Sequence, residues 1–295
     1  DGLVMDDGTT ARMSENHFIM TTTTANADSV YRHLEFCHQC LWPDMEVHLI
    51  STTDAWAQIA IAGPNSRKVI SKIIDPEFDI SNENFPFMAC KEISICGGVI
   101  ARLFRISFSG ELAYELSFPT QYALSFVNYL MEIGKEENII PYGTEALGVM
   151  RIEKGHAAGA ELNGTTTALN LNMGKMVSDN KDSIGSVLSK REGLNQSDDL
   201  KLVGIKPINS SDQLISGSHL FDLSSKVNPQ NDKGYITSSC FSPTLGSYIA
   251  LGFLRNGSNR YGEKIRVNNF LLKKEVLAEV CNPIFVDPNG DKLRE

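Results

Sequence analysis

An α+β fold of more than one subdomain is predicted by three observations. The chain has 295 residues, more than one simple core accommodates. Strand-like and helix-like segments alternate without a regular period up to about residue 155, so no solenoid repeat is present. Beyond residue 200 the signals are nearly all strand. Hydrophobic residues at 42% and charged residues at 21% are those of an ordinary globular chain.

Taken in order, "HFIMTTTT" (17–24) is rich in strand formers, and Asn26 to Asp28 can cap the helix that follows. In "NADSVYRHLEFCHQCLW", Val30, Leu34, Cys37 and Leu41 recur three or four apart, as one apolar stripe of a helix does. Strands are expected near 46–51 and 55–62. Gly63-Pro64 breaks the second, and Asn65 or Ser66 opens a helix within 63–74 whose apolar face is Val69, Ile70 and Ile73. "KEISICGGVIARLFRISF" reads as two strands joined at Gly97-Gly98. "SFSGELAYELSFP" (107–119) supplies another strand. "TQYALSFVNYLMEIGKEEN" (120–138) is a helix with Leu124, Val127, Leu130 and Met131 at helical spacing. Residues 45–139 are therefore expected to form a ferredoxin-like α+β subdomain. A helix over 143–155 ends at Gly155, and the polar stretch 178–199 links it to a third part. There "LKLVGIKPI", "KGYITSSCFS", "GSYIALGFL" and "EKIRVNNFLLKKEVLAEV" suggest a small antiparallel barrel or sandwich within 200–295.

Composition narrows the function classes. A net charge of -9 argues against nucleic acid or an anionic membrane as partner, and no apolar run reaches the roughly 18 residues of a membrane span. The start, "DGLVMDDGTTAR", shows no initiator Met, basic n-region or apolar h-region. A piece of a longer chain without a secretory signal is expected. Six scattered cysteines lack the density of a disulfide scaffold and point to a reducing, cytoplasmic setting. Cys37-x-x-Cys40, with His33 and His38 nearby, could serve metal or redox chemistry, but no second close pair completes a zinc set. Buried helix cysteines are the favoured reading, and no metal site is expected. P-loop, dinucleotide and nucleophile-elbow motifs are absent.

Two acidic pairs remain. In a strand, Leu112, Tyr114, Leu116 and Phe118 share one face, and Glu111, Ala113 and Glu115 the other. An ordinary solvent face reads the same way. A carboxylate on a strand beside a turn glycine can also accept two parallel hydrogen bonds from a planar edge, such as a guanidinium or the aminopyrimidinone edge of a pterin. Ala113 leaves room for a flat ring, and Phe108 is placed to stack on it. Asp6 and Asp7 follow the apolar "GLVM", so one of them can point inward while the other is solvated. A semi-buried acid next to a like charge suits proton transfer or holding a passing cation.

These residues occur within a larger set of signposts. "GLVMDDGTTAR", "AIAGPNSRKVI", "RISFSGELAYEL", "GVMRIEKG", "SSCFSPTLGSYIALGFL" and "NPIFVDPNGDKLRE" follow one another in the order found in the folate-dependent aminomethyltransferase family. The chain resembles that family over nearly its whole length. The family includes the glycine-cleavage T protein, dimethylglycine oxidase and dehydrogenase, and the alpha subunit of heterotetrameric sarcosine oxidase. The first and last signposts, with "TTTT" at 21–24, are most similar to the sarcosine oxidase branch. The resemblance implies a multi-subdomain aminomethyltransferase fold: residues 1–44 and 140–199 as part of a folate-binding core, 45–139 as the ferredoxin-like unit, and 200–295 as a C-terminal antiparallel β-barrel with its tail. It implies Asp7 as the catalytic acid near the reacting nitrogens, and Glu115, Phe108, Thr23 and Tyr114 as folate-binding residues. Many members have Tyr where Phe108 stands, and T proteins carry an Arg where Leu147 stands. Tetrahydrofolate is the implied cofactor, with flavin and NAD expected only outside these residues or in partner subunits. The implied partners are the other sarcosine oxidase subunits and the imine formed from sarcosine. The implied reaction gives methylene-tetrahydrofolate. The other readings are an aminomethyltransferase of the glycine-cleavage or dimethylglycine type, and a non-catalytic folate-binding scaffold.

Overall fold

The structure, a computed structural model, describes residues 1–181 and 183–295. It resolves into two compact units, one of Asp6–Gly143 with Asn289–Glu295, the other of Asp1–Met5 with Thr144–Pro288.

In the first unit Thr10–Ser14 (β1) and His17–Met20 (β2) form an antiparallel hairpin. Thr21 N–H closes its open end by donating to the Thr9 carbonyl at 2.8 Å. Gly8, the glycine of "MDDG", is required there, because a Cβ would sit 1.9 Å from the Thr21 carbonyl oxygen. Helix α1 (Ala27–Phe36) runs on into one wide turn, Cys37–Leu41. The strand expected near 46–51 does not form. Met45, Val47 and Ile50 are exposed, and without a sheet edge to pair with, their alternation has nothing to bury against.

The next elements are β3 (Trp56–Ala62), α2 (Ser66–Ser71), β4 (Cys90–Ile95), β5 (Val99–Phe104), β6 (Ala113–Pro119) and α3 (Ala123–Ile133). Gly97 and Gly98, both at positive φ, turn β4 into β5 as their sequence predicts. The strands pair antiparallel in the order β3-β6-β5-β4. One sheet face, with Ile61, Ile93, Leu103, Tyr114, Leu116 and Phe118, packs on Val69 and Ile70 of α2 and on Phe126 and Leu130 of α3. The fourth strand follows the third through a loop, where the ferredoxin-like pattern has a helix. The strand expected over 107–119 accordingly starts only at Ala113. Gly110 stands at φ +84, and its N–H donates to Ser107 Oγ at 3.1 Å, which turns the chain before the ladder begins.

In the second unit, helix α4 (Thr144–Lys154) is stopped by Gly155 at φ +73. Then β7 (Leu200–Pro207), β8 (His219–Asp222), β9 (Gly234–Ser242), β10 (Ser247–Arg255), β11 (Lys264–Asn269) and β12 (Lys274–Cys281) close a barrel in the order β10-β7-β12-β11-β8-β9. Alternate residues fill its interior, among them Val203, Ile205, Ile236, Ala250, Val267 and Val280. Ile152 of α4 packs with Leu202, Ile249, Leu251 and Phe253. Among the described residues, no helix is long and apolar enough to cross a membrane.

Candidate functional site

The sheet of the first unit buries one face, and the period of two puts a different set of side chains on the other: Gln58 and Ala60 of β3, Ala113, Glu115 and Ser117 of β6, Arg102 and Phe104 of β5. Glu115 lies in register between Ala60 and Phe104. Ser117 Oγ donates to Gln58 Oε1 at 3.0 Å. That bond fixes the amide, so its Nε2 donates to Glu115 Oε2. Burial pushes the Glu115 carboxyl above the usual carboxylate range, and the Gln58 bond only partly opposes this. Among the described residues Glu115 has no ion-pair partner. Tyr142 is close enough to feel its charge: the phenol is raised first by burial and then by Glu115. The one arginine of this face, Arg102, is drawn onto the Trp56 ring, 3.7 Å from its centroid.

Glu111 has a different environment. It lies in the turn before β6, and Lys292 Nζ donates to its Oε1 at 2.6 Å. Of the two glutamates, one has a lysine partner and the other has none among the described residues; it is half-buried, with exposed Gln58 and Ala60 on one side and buried Phe104 on the other.

Tyr114 points to the opposite side of β6 from Glu115. It is fully buried, its ring stacks on Phe85, and its hydroxyl accepts from Arg67 Nε at 2.9 Å. The structure therefore does not bring Tyr114 and Glu115 to one surface. Phe108 is half-buried in the loop between β5 and β6.

The other acidic pair also divides. Asp6 accepts from Thr23 N–H at 2.8 Å, Thr23 Oγ1 at 2.9 Å and Asn26 Nδ2 at 3.0 Å. Burial alone would raise its pKa, but these donors together hold it below the ordinary value. Asp6 is thus committed to tying the start of α1, and Thr23 is brought to Asp6. Asp7, next to it, is exposed. The inward and outward acids expected from "GLVMDD" are Asp6 and Asp7 respectively.

Gln58, Ser117, Arg102 and Tyr142 were not singled out from sequence. Gln58 is the one polar residue in "AWAQIAIA", which is a signal in hindsight, but only the β3–β6 register shows which acid it meets. In the Cys37-x-x-Cys40 segment, Cys37 is buried and Cys40 exposed, and Cys37 Sγ lies 3.7 Å from His33 Nε2. Among the described residues no group of His, Cys, Asp or Glu is placed to hold a metal ion.

The chain is similar to known proteins in sequence and in fold. Residues 1–181 match the GCVT N-terminal domain, and residues 201–287 the glycine cleavage T-protein C-terminal barrel domain. The chain is 50% identical over 295 residues to sarcosine oxidase subunit alpha of Rhizobium meliloti (strain 1021), covering 99% of this chain and 30% of that protein. It is 37% identical over 299 residues to the subunit of the same name from Corynebacterium sp. (strain U-96), again spanning 30% of it. An aminomethyltransferase of Desulfitobacterium hafniense (strain Y51) is 29% identical over 294 residues, covering 98% of this chain and 74% of that protein. The fold is that of the glycine cleavage system aminomethyltransferase T from Bartonella henselae, with a TM-score of 0.76 at 20% identity over 97% of this chain and 73% of that one.

Proposed function

Because the chain belongs to the glycine cleavage T-protein family, we propose that it is a tetrahydrofolate-dependent carbon-transfer domain of the sarcosine oxidase alpha-subunit type. Glu115 carries this reading. It is a half-buried carboxylate with a raised pKa and no cationic partner among the described residues, in register between exposed Ala60 and buried Phe104. Such a group fits the adjacent N–H donors of a pterin edge, and the small, exposed Ala60 leaves space beside it for a flat ring. Tetrahydrofolate, when bound, supplies the nitrogen nucleophiles that take up the one-carbon unit. Glu115 orients the pterin edge, and Gln58, itself fixed by Ser117, orients Glu115. We assign Phe108 the role of an apolar ring that stacks on the pterin, without the hydroxyl that many members have there, and Thr23 a further contact to folate. Tyr114 acts from behind, by seating the strand that carries Glu115. We assign to Asp7 the stabilisation of positive charge on the incoming imine.

In the larger protein, oxidation of sarcosine takes place at a flavin outside these residues, and any NAD belongs there as well. The imine reaches this domain, its one-carbon unit passes to the folate nitrogens to give methylene-tetrahydrofolate and its amine half leaves as glycine; without folate, water takes up the carbon as formaldehyde and glycine is again released. We place the enzyme in the cytoplasm with its partner subunits. A free-standing aminomethyltransferase is the second reading, favoured by the match that covers 74% of the Desulfitobacterium hafniense protein. A dinucleotide-binding fingerprint encoded upstream would decide for the first.

Asp7→Asn tests the assignment in the reconstituted full-length enzyme. It keeps size and most hydrogen bonding but removes the charge. Sarcosine oxidation should continue, folate affinity should stay within a few-fold, and capture of the carbon by folate should fall roughly ten- to a thousand-fold. Free formaldehyde rises correspondingly. An unchanged ratio of the two products would make Asp7 a spectator.

A further inference from the structure

Residues Asn289–Glu295 belong to the same compact unit as Glu115, and several of their polar contacts fall on one feature. The loop between β5 and β6 carries Phe108 and delivers the chain to Glu115. At its entrance Arg105 is almost wholly buried. Its Nη1 donates to the Phe85 carbonyl at 2.8 Å, and its Nη2 to the Glu295 carbonyl at 2.6 Å. At the exit, Glu111 accepts from Lys292 Nζ. Two residues into β6, the Tyr114 hydroxyl is held by Arg67, whose Nη2 also donates to the Glu295 carbonyl, at 2.5 Å. Leu293, between these contacts, is buried.

From these contacts we infer that the tail is a strap that positions the folate-binding loop, with Lys292, Arg105 and Arg67 as positioning residues. The inference rests on the folate reading of Glu115. The tail's charged and backbone contacts grip both ends of the loop. Without them, the buried Arg105 guanidinium keeps only the Phe85 carbonyl and its Nη2 loses its acceptor, while its Nε already has no partner among the described residues. A buried cation in that state must admit water or swing outward, and Ile106–Phe108 follow it. Glu115 keeps its place in the ladder, since β3 and β5 flank it. The strap thus sets the ring-facing part of the site, and the sheet sets the carboxylate.

The test uses the full chain and folinate (5-formyltetrahydrofolate) as a stable probe, with affinity read by calorimetry. One variant ends at Asp291. A second set reverses the partly exposed ion pair: Lys292→Glu, Glu111→Lys, and both together. The shortened chain should bind folinate at least tenfold more weakly and Lys292→Glu about three- to tenfold more weakly, because a partly exposed pair contributes modestly. The double reversal should restore binding to within twofold, an outcome that a general loss of stability would not produce. Amide exchange should quicken at 106–112 in Lys292→Glu and stay unchanged in the β7–β12 barrel. If the shortened chain fails to fold, the reversal set and its exchange pattern decide. Wild-type chain that does not bind folinate would overturn the folate reading and the strap with it. Wild-type binding that ignores the reversal, or a loss not restored by the double variant, would overturn the strap alone.

Discussion

Glu111 and Glu115 stand four residues apart, and their neighbours give them different chemistry. Alternation along β6 makes the split between Leu112, Tyr114, Leu116, Phe118 and the acidic positions legible from sequence. What it hides is that Lys292, 181 residues away, neutralises Glu111, and that Gln58, 57 residues away, reaches Glu115. Nothing local encodes either partner. The raised pKa of Glu115 has a consequence for stability. Burial lifts it in the folded chain above the unfolded value, so folded protein holds that proton more tightly. The contribution to stability is full below the unfolded pKa and is lost as pH rises through the folded one. Ligand-free Glu115→Gln should therefore melt higher than wild type near neutral pH, at about 2–4 °C per kcal/mol gained in a chain of this size. The gain should vanish on acidification to about pH 4, where the wild-type carboxyl is protonated as well. Melting midpoints measured across that range check it. A variant that melts lower than wild type at every pH would contradict the claim that Glu115 is held at a cost to the fold. The same titration predicts that folate affinity falls as pH drops through the raised pKa.

At the scale of elements, the chain announces those whose signals are local. Gly97-Gly98 marks the β4–β5 hairpin, Gly63-Pro64 ends β3, and Gly155 ends α4. The reading fails where tertiary partners decide. "MEVHLI" alternates like a strand but has no edge to join, whereas β8 is only four residues, "HLFD", and becomes a strand because β9 and β11 flank it. "EKIRVNNFLLKKEVLAEV" is two strands, separated by a turn with Lys273 at φ +50. The tie between α4 and the barrel is another tertiary fact. Glu161, with no exposed surface, accepts from Arg151 Nη1 at 2.9 Å, Ala158 N–H at 3.0 Å and Ser238 Oγ at 2.6 Å. Arg151 Nη2 in turn donates to Ser238 Oγ at 2.7 Å. Removing one member of such a pair leaves the other buried and uncompensated. Glu161→Gln should cost about 3–5 kcal/mol by that rule, read as a lower urea midpoint at unchanged m. A loss under about 1 kcal/mol would mean that Arg151 finds water or another acceptor.

For the whole molecule, the α+β class was legible from the alternation of strand and helix signals and the strand-only region beyond 200, and the choice of barrel over sandwich from six signposts in family order; the two family matches over 1–181 and 201–287 agree. The chain divides into two compact units. The three-part division into a 1–44 and 140–199 core, a 45–139 subdomain and a 200–295 barrel remains our proposal for how the folate-binding core is organised. The assignment of the site residues is likewise a proposal, and its central element is the unequal worth of the two glutamates, Glu111 in the turn before β6 and Glu115 within it. Calorimetric titration of the full chain with folinate compares wild type, Glu115→Ala and Glu111→Ala directly. Losing a charged two-point contact costs about 2–4 kcal/mol, so Glu115→Ala should weaken binding thirty-fold or more. Glu111→Ala, which gives up only a partly exposed ion pair, should weaken it no more than a few-fold. Equal losses in the two variants would contradict the account.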